Sequence, residues 1–136
     1  MGESDIHAVS LAVLVDGRFL LVRRGRAPAK GLFAFPGGRV EAGEDAETAI
    51  RRELLEETGL SAGAVSLFRE ITIDGESGRR YLLKVFRAAE VEGEMREGDD
   101  ADHVGWYTLG EMRSLPITDS TLAVAEGIAA GSERPL

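Results

Sequence analysis

The stretch that most constrains this chain is residues 37–60, GGRVEAGEDAETAIRRELLEETGL. Residues 45–58 have helical composition: Ala, Glu, Arg and Leu dominate, with no Gly or Pro among them. Glu44 or Asp45 can serve the N-terminal end, where an acid side chain meets the positive end of the helix dipole. Gly59 is a natural stop, because glycine tolerates the left-handed conformation there. At about 100° per residue, Ala46, Ile50 and Leu54 form one apolar stripe. Glu57 falls inside that stripe, Glu53 lies on its edge and Glu56 somewhat further round. Three- and four-residue spacings make these acids neighbours, so like charges crowd one face. A carboxylate turned toward a core is costly unless it is paired, hydrogen-bonded or bound to metal. Oxygen donors of high negative charge suit Mg²⁺ or Mn²⁺. A solvated acidic face, the ordinary explanation of a Glu-rich helix, would not put Glu57 on the apolar stripe.

Ahead of the helix stands Phe35-Pro36-Gly37-Gly38, read as a strand end running into a loop. Two glycines let backbone approach a ligand closely, and a carbonyl freed in such a loop can join a metal's oxygen shell. Alone, Pro-Gly-Gly means only a turn. Before an acid-bearing helix it reads as the opposite wall of a metal site.

Gly38, Glu44, Arg52, Glu53, Glu56, Glu57 and Gly59 stand at the intervals of the Nudix box, Gly-x5-Glu-x7-Arg-Glu-U-x-Glu-Glu-x-Gly-U. Leu54 and Leu60 fill the two aliphatic positions, U. Seven fixed positions match by chance about once in 10⁸ starts. A chain of 136 residues offers far too few for coincidence. The chain resembles a Nudix hydrolase, with the box at residues 38–60 and looser support on either side.

At this length one domain, residues 1–136, is expected, large enough for a real core. The formal net charge of −8 argues against broad binding to nucleic acid polymers or anionic membrane. It leaves room for a small phosphorylated ligand, since metal ions invert the local field. Cysteine is absent, which removes disulfides, thiolate catalysis and thiolate zinc sites. The acidic N-terminus does not read as a signal peptide, and no apolar run approaches a membrane span. A cytoplasmic protein is expected, as a monomer or homodimer.

Residues 7–15 and 19–23 read as strands joined by the hairpin turn Asp16-Gly17. Arg23, Arg24, Arg26 and Lys30 then gather before the glycine loop, which suits a polyphosphate in an otherwise acidic protein. Residues 64–73 and 81–88 read as strands around a turn at 74–78, and a further β stretch runs through Val91 into the acid-rich segment 92–102. Residues 104–107 form a late strand with Trp106 in packing, and 109–114 a short helix. A last helix spans 119–130, opened by Asp119 or Ser120 as cap, with a frayed tail from Gly131.

The resemblance implies an α/β (α+β) fold, the Nudix α/β/α sandwich with a mixed central sheet. It implies Mg²⁺ (or Mn²⁺) held by Glu53, Glu56, Glu57 and the Gly37 loop, with a bound water activated for attack on phosphorus. Glu53, Glu56 and Arg52 would carry catalysis, Glu53 as the base and Arg52 as orienter of the acids through Glu44. Arg23, Phe35, Gly38 and Asp119 would meet a small nucleotide substrate, Arg23 at phosphate and Asp119 at the base. A further acid from the loop before the late strand is implied too, with Glu97, Asp99, Asp100 and Asp102 all open. The expected reaction is hydrolysis of a phosphoanhydride in a nucleoside diphosphate derivative, with a nucleoside triphosphate, oxidised or not, preferred. ADP-ribose-cleaving relatives commonly carry Pro about fifteen residues beyond the box, where Asp74 and Gly75 stand here. An ADP-ribose-type pyrophosphatase and a non-catalytic nucleotide sensor are the alternatives.

Overall fold

The computed structural model describes residues 5–25, 29–75, 78–98 and 101–133. The aliphatic run at the N-terminus extends as β1 (Asp5–Val15) and turns at Asp16-Gly17 into β2 (Arg18–Arg24). Both turn residues have positive φ, 51° and 79°, the geometry that matches the right-handed twist of paired strands. Val15 sits opposite Arg18, as a two-residue hairpin requires. Short strands β3 (Phe33–Ala34) and β4 (Gly37–Arg39) follow, then α1 (Ala46–Thr58). Beyond the helix come β5 (Leu60–Ala62), β6 (Ser66–Asp74), β7 (Arg80–Ala88), β8 (Val91–Gly93) and β9 (Ala101–Tyr107). Helices α2 (Leu109–Met112) and α3 (Asp119–Glu133) end the described chain.

Among the described residues, seven strands make one mixed sheet, ordered β3-β2-β1-β7-β6, with β4 also on β1 and β9 also on β2. β1 and β7 run parallel and the other pairs antiparallel. A small pair, β5 and β8, stands apart.

Period-two alternation divides the strand side chains between two cores. Leu20 and Val22 of β2 join Val9, Leu11 and Val13 of β1 under Ile50 and Leu54 of α1. Phe19 and Leu21 face the other way, onto Met112 of α2 and Val124, Ala125 and Ile128 of α3. The expected α/β/α sandwich with a mixed sheet is the observed fold. Leu54 is fully buried, which contributes about 2–3 kcal/mol. Trp106 packs against the first core, as expected.

The structure corrects several boundaries. Gly37 and Gly38 are not free loop but the start of β4, with Gly37 opposite Ser10 and Gly38 opposite Val9. The late strand begins at Ala101 rather than 104, α2 is shorter than expected, and α3 runs on to Glu133 without fraying at Gly131. Leu60–Ala62 is a strand that the glycine stop before it concealed. Arg26, Asp99 and Asp100, together with residues 76–77 of the turn, lie outside the described residues. No helix of the described residues is long and apolar enough to cross a membrane.

Candidate active site

Two local signals place α1. The Asp45 carboxylate accepts from the Thr48 N–H at 2.8 Å, so Asp45 rather than Glu44 caps the helix. Gly59 stops it at φ 79°, donating its N–H to the Leu55 carbonyl at 2.9 Å. Between these ends Ile50 and Leu54 point inward, and the same face carries Glu57, only 6% exposed.

That buried acid meets the glycine strand. Glu57 accepts the Gly37 N–H at 3.1 Å, across the gap between α1 and β4. A Cβ on Gly38 would fall onto the Glu53 carboxylate, and a Cβ on Gly37 would fall onto the Val9 carbonyl. Glycine at 37 therefore lets β4 close on β1, whereas glycine at 38 makes room for an acid.

Arg52 gathers the remaining carboxylates. Its Nε and Nη2 donate to the two oxygens of Glu44, at 2.6 and 3.0 Å. Its Nη1 donates to Glu53 and to Glu56, each at 3.2 Å, and Nη2 also reaches the Arg39 carbonyl at 3.1 Å. This fork holds the Glu44 carboxyl down to about 2, helped by the Glu41 N–H, and holds the Arg52 guanidinium above its ordinary value. Glu53 and Glu44 are mostly covered, while Glu56 faces solvent. Among the described residues no three acids or histidines converge as a ready-made metal cage. The donors gathered here are nonetheless all oxygen and strongly anionic, the set that a hard divalent cation takes.

The acid-rich loop docks beside this face. The Arg96 N–H donates to the Thr58 carbonyl at 2.8 Å, and Gly98 lies so close to the Glu56 carbonyl that a Cβ there would collide with it. Glu97, exposed and between these two anchors, is thereby held at the C-terminal end of α1. Asp102 is engaged elsewhere, accepting from Arg23 Nε at 2.7 Å, which raises the pKa of that guanidinium.

On the other side of Gly37 and Gly38 opens a cleft of about 940 Å³. Its floor is apolar strand surface, including Leu83 and Val85, and the start of α3 forms one side. Tyr81 and Arg79 lie at the β6–β7 turn. Phe35 lines the cleft but is 5% exposed, its ring 6.0 Å from that of Phe19, so it is floor rather than a free stacking surface.

Asp119 also lines the cleft, and here the cap expectation is corrected. Thr118 Oγ1 accepts the Thr121 N–H of the first turn at 3.4 Å and donates its own hydrogen to Thr121 Oγ1 at 2.7 Å. Asp119 is the first helical residue, exposed, with no hydrogen bond or ion pair among the described residues. The Thr118 N–H donates to the Phe33 carbonyl at 3.1 Å, which ties the helix start to β3 beside the glycine strand.

Of the four residues expected to meet substrate, Arg23, Phe35, Gly38 and Asp119, Arg23 is the one that does not line the cleft. A bulge between Arg23 and Arg24 leaves Asp102 of β9 without a paired residue. Arg23 then turns to Asp102, and Arg24 lines the cleft instead. Arg24 stands in the sequence only as one member of the basic cluster before the loop, and nothing local separates it from Arg23.

Residues 5–124 match the profile of the NUDIX domain. An ADP-ribose pyrophosphatase of Methanocaldococcus jannaschii is 37% identical over 109 residues, 79% of this chain and 64% of the relative. An oxidized purine nucleoside triphosphate hydrolase of Danio rerio is 36% identical over 101 residues, 74% of this chain and 64% of the relative. The chain thus spans a little under two thirds of the length of either one. Among solved structures, a MutT NUDIX hydrolase from Burkholderia pseudomallei superposes with a TM-score of 0.84 at 31% identity, covering 91% of this chain and 98% of that one. With the box acids on one helix face, Gly37 and Gly38 against two of them, and the domain profile matched along most of its length, this chain belongs to the Nudix hydrolase family.

Proposed function

We propose that this chain hydrolyses a phosphoanhydride bond in a nucleoside diphosphate derivative, and that its substrate is a nucleoside triphosphate, cleaved to monophosphate and pyrophosphate. One observation carries the reading: the Gly37-Gly38 strand has the acid face of α1 on one side and the nucleotide-sized cleft, with Asp119 at its edge, on the other. Phosphates lying along the glycines would bring the scissile bond to the acids while the base reaches the start of α3.

Glu53, Glu56, Glu57 and the Gly37 carbonyl would hold Mg²⁺ or Mn²⁺. The bound ion supplies charge neutralisation at the phosphate oxygens and an acidified water. Glu53, packed against Gly38 and in contact with Arg52, takes the proton of the attacking water. Arg52 keeps Glu53 and Glu56 in place through its anchor on Glu44. Arg24 meets phosphate at the cleft mouth, the role that the family resemblance implied for Arg23. Asp119 accepts N–H donors from the nucleobase.

A second reading, an ADP-ribose-type pyrophosphatase, is favoured by the 37% identity to the archaeal enzyme. Turnover of a mixed panel with Mg²⁺ decides between them: ordinary and oxidised nucleoside triphosphates, ADP-ribose, NADH and a dinucleoside polyphosphate. Monophosphate plus pyrophosphate from a triphosphate supports the first reading. AMP plus ribose phosphate from ADP-ribose replaces it with the second. Tight binding of one compound without turnover of any would make the chain a sensor and end both.

A further inference from the structure

On the α1 side of the sheet, meeting the cleft at Ala8, Val9 and Arg39, lies a second pocket of about 570 Å³, within the range that holds small organic ligands. It is bounded by the α1-side face of β1 and β7 at His7, Leu82 and Lys84, and by residues 39–46 leading into α1. Its charges are distributed unequally. Every lining carboxylate already has a cation: Asp5 accepts from Arg80 at 3.1 and 3.0 Å, Glu44 from Arg52 at 2.6 and 3.0 Å, and Glu41 lies 3.7 Å from Arg52. The Arg80 guanidinium holds the Asp5 carboxyl below its ordinary range, so that acid stays committed as an ion. The lining cations are the reverse. Arg39 and Lys84 have no side-chain hydrogen bond or ion pair among the described residues, and His7 has none beyond its electrostatic attraction to the Asp5 carboxylate. Glu70 stands opposite Lys84 in the β6–β7 register, yet the two form no ion pair.

In a chain of net charge −8, a concave surface whose acids are neutralised and whose cations are open is an anion site. Val40, Ala42, Ala46 and Leu82 add an apolar wall that an inorganic ion would not need. We propose that this pocket binds a phosphate monoester carrying an organic body, through Lys84 and His7, neither of which lines the cleft, with Arg39 on the border that the two share. The pocket also touches the acid face: the Glu44 carboxylate that lines it is the anchor of Arg52, which in turn contacts Glu53 and Glu56. Only this coupling rests on the function proposed above; the binding itself does not.

The test is a titration of the ¹⁵N-labelled whole chain with AMP, and separately with inorganic phosphate, in EDTA and followed by amide chemical shifts. Saturable shifts at residues 7, 41–46, 82 and 84 are expected with AMP, more weakly with phosphate. Lys84→Ala should weaken them by about tenfold, equivalent to about 1.4 kcal/mol, and so should His7→Ala. Asp119→Ala should leave them unchanged. Shifts confined to the cleft, no saturation at residues 82 and 84, or an unchanged midpoint in both folded variants would each overturn the proposal. Because no turnover is read, an inactive protein would leave this result interpretable while removing the function proposed above.

Discussion

Arg52 donates Nε and Nη2 to the two oxygens of Glu44, eight residues earlier, at 2.6 and 3.0 Å, and spends its remaining nitrogen on Glu53 and Glu56. One planar group thus sets the geometry of three carboxylates. Arg52→Lys cannot reproduce a fork with five donors. We expect Arg52→Lys and Glu44→Gln each to lower kcat by about 10–100-fold, with KM changed less and the far-ultraviolet spectrum intact. Full kcat in either folded variant would remove the positioning role.

The same pair makes stability depend on acid. The Glu44 carboxyl ordinarily titrates near 4.5 and is held to about 2 in the fold. A depressed carboxylate contributes stability that is complete above the ordinary value and lost as pH falls through the folded one. Wild type should therefore lose its advantage over Glu44→Gln between pH 4.5 and 2, and keep it constant above 4.5. Thermal melts at a series of pH values check this; a gap that stays constant down to pH 2 contradicts it.

Glu57 is the acid with most at stake in the fold as well as the site. Its 6% exposure and its contact with the Gly37 N–H leave little room for a neutral substitute in catalysis. Glu57→Gln should lose activity of the order of a hundredfold or more while remaining folded. EDTA should abolish turnover of wild type, and Mg²⁺ or Mn²⁺ should restore it. Metal-independent turnover at the wild-type rate would refute the carboxylate assignment.

The two glycines should separate fold from activity. Gly37→Ala drives a Cβ into the Val9 carbonyl, a backbone atom that cannot step aside, and should cost about 2 kcal/mol of stability. Gly38→Ala drives its Cβ into the Glu53 carboxylate, which can rotate away. That variant should melt near wild type and lose most of its kcat. Equal effects of the two on melting temperature would argue against the distinction.

Thr118 and Asp119 should likewise divide two roles that the sequence combined in one residue. Thr118→Ala removes the cap and should destabilise by about 1 kcal/mol. Asp119→Ala should leave stability within about 0.5 kcal/mol and raise KM for the nucleotide substrate about tenfold, as for the loss of one bond to a charged acceptor. An unchanged KM would take Asp119 out of base recognition.

What the sequence alone determined is what short-range periodicity encodes. The Asp16-Gly17 hairpin, the capped and glycine-stopped helix, and the inward register of Ile50, Leu54 and Glu57 all follow from residues within a few turns or one strand pair. Those features were enough for the acid face, while the α/β/α class was implied by the resemblance that the box residues carry. Tertiary structure decided what depends on partners far along the chain. Arg23 and Arg24 are adjacent and alike, and only the bulge against β9, some eighty residues away, sends one to Asp102 and the other to the cleft. Asp119 and Thr118 are both good caps, and only the tie of Thr118 to Phe33 selects between them. Gly37 reads as loop until β4 closes on β1. In each case the local chemistry allows two outcomes of similar cost, and a distant strand breaks the tie.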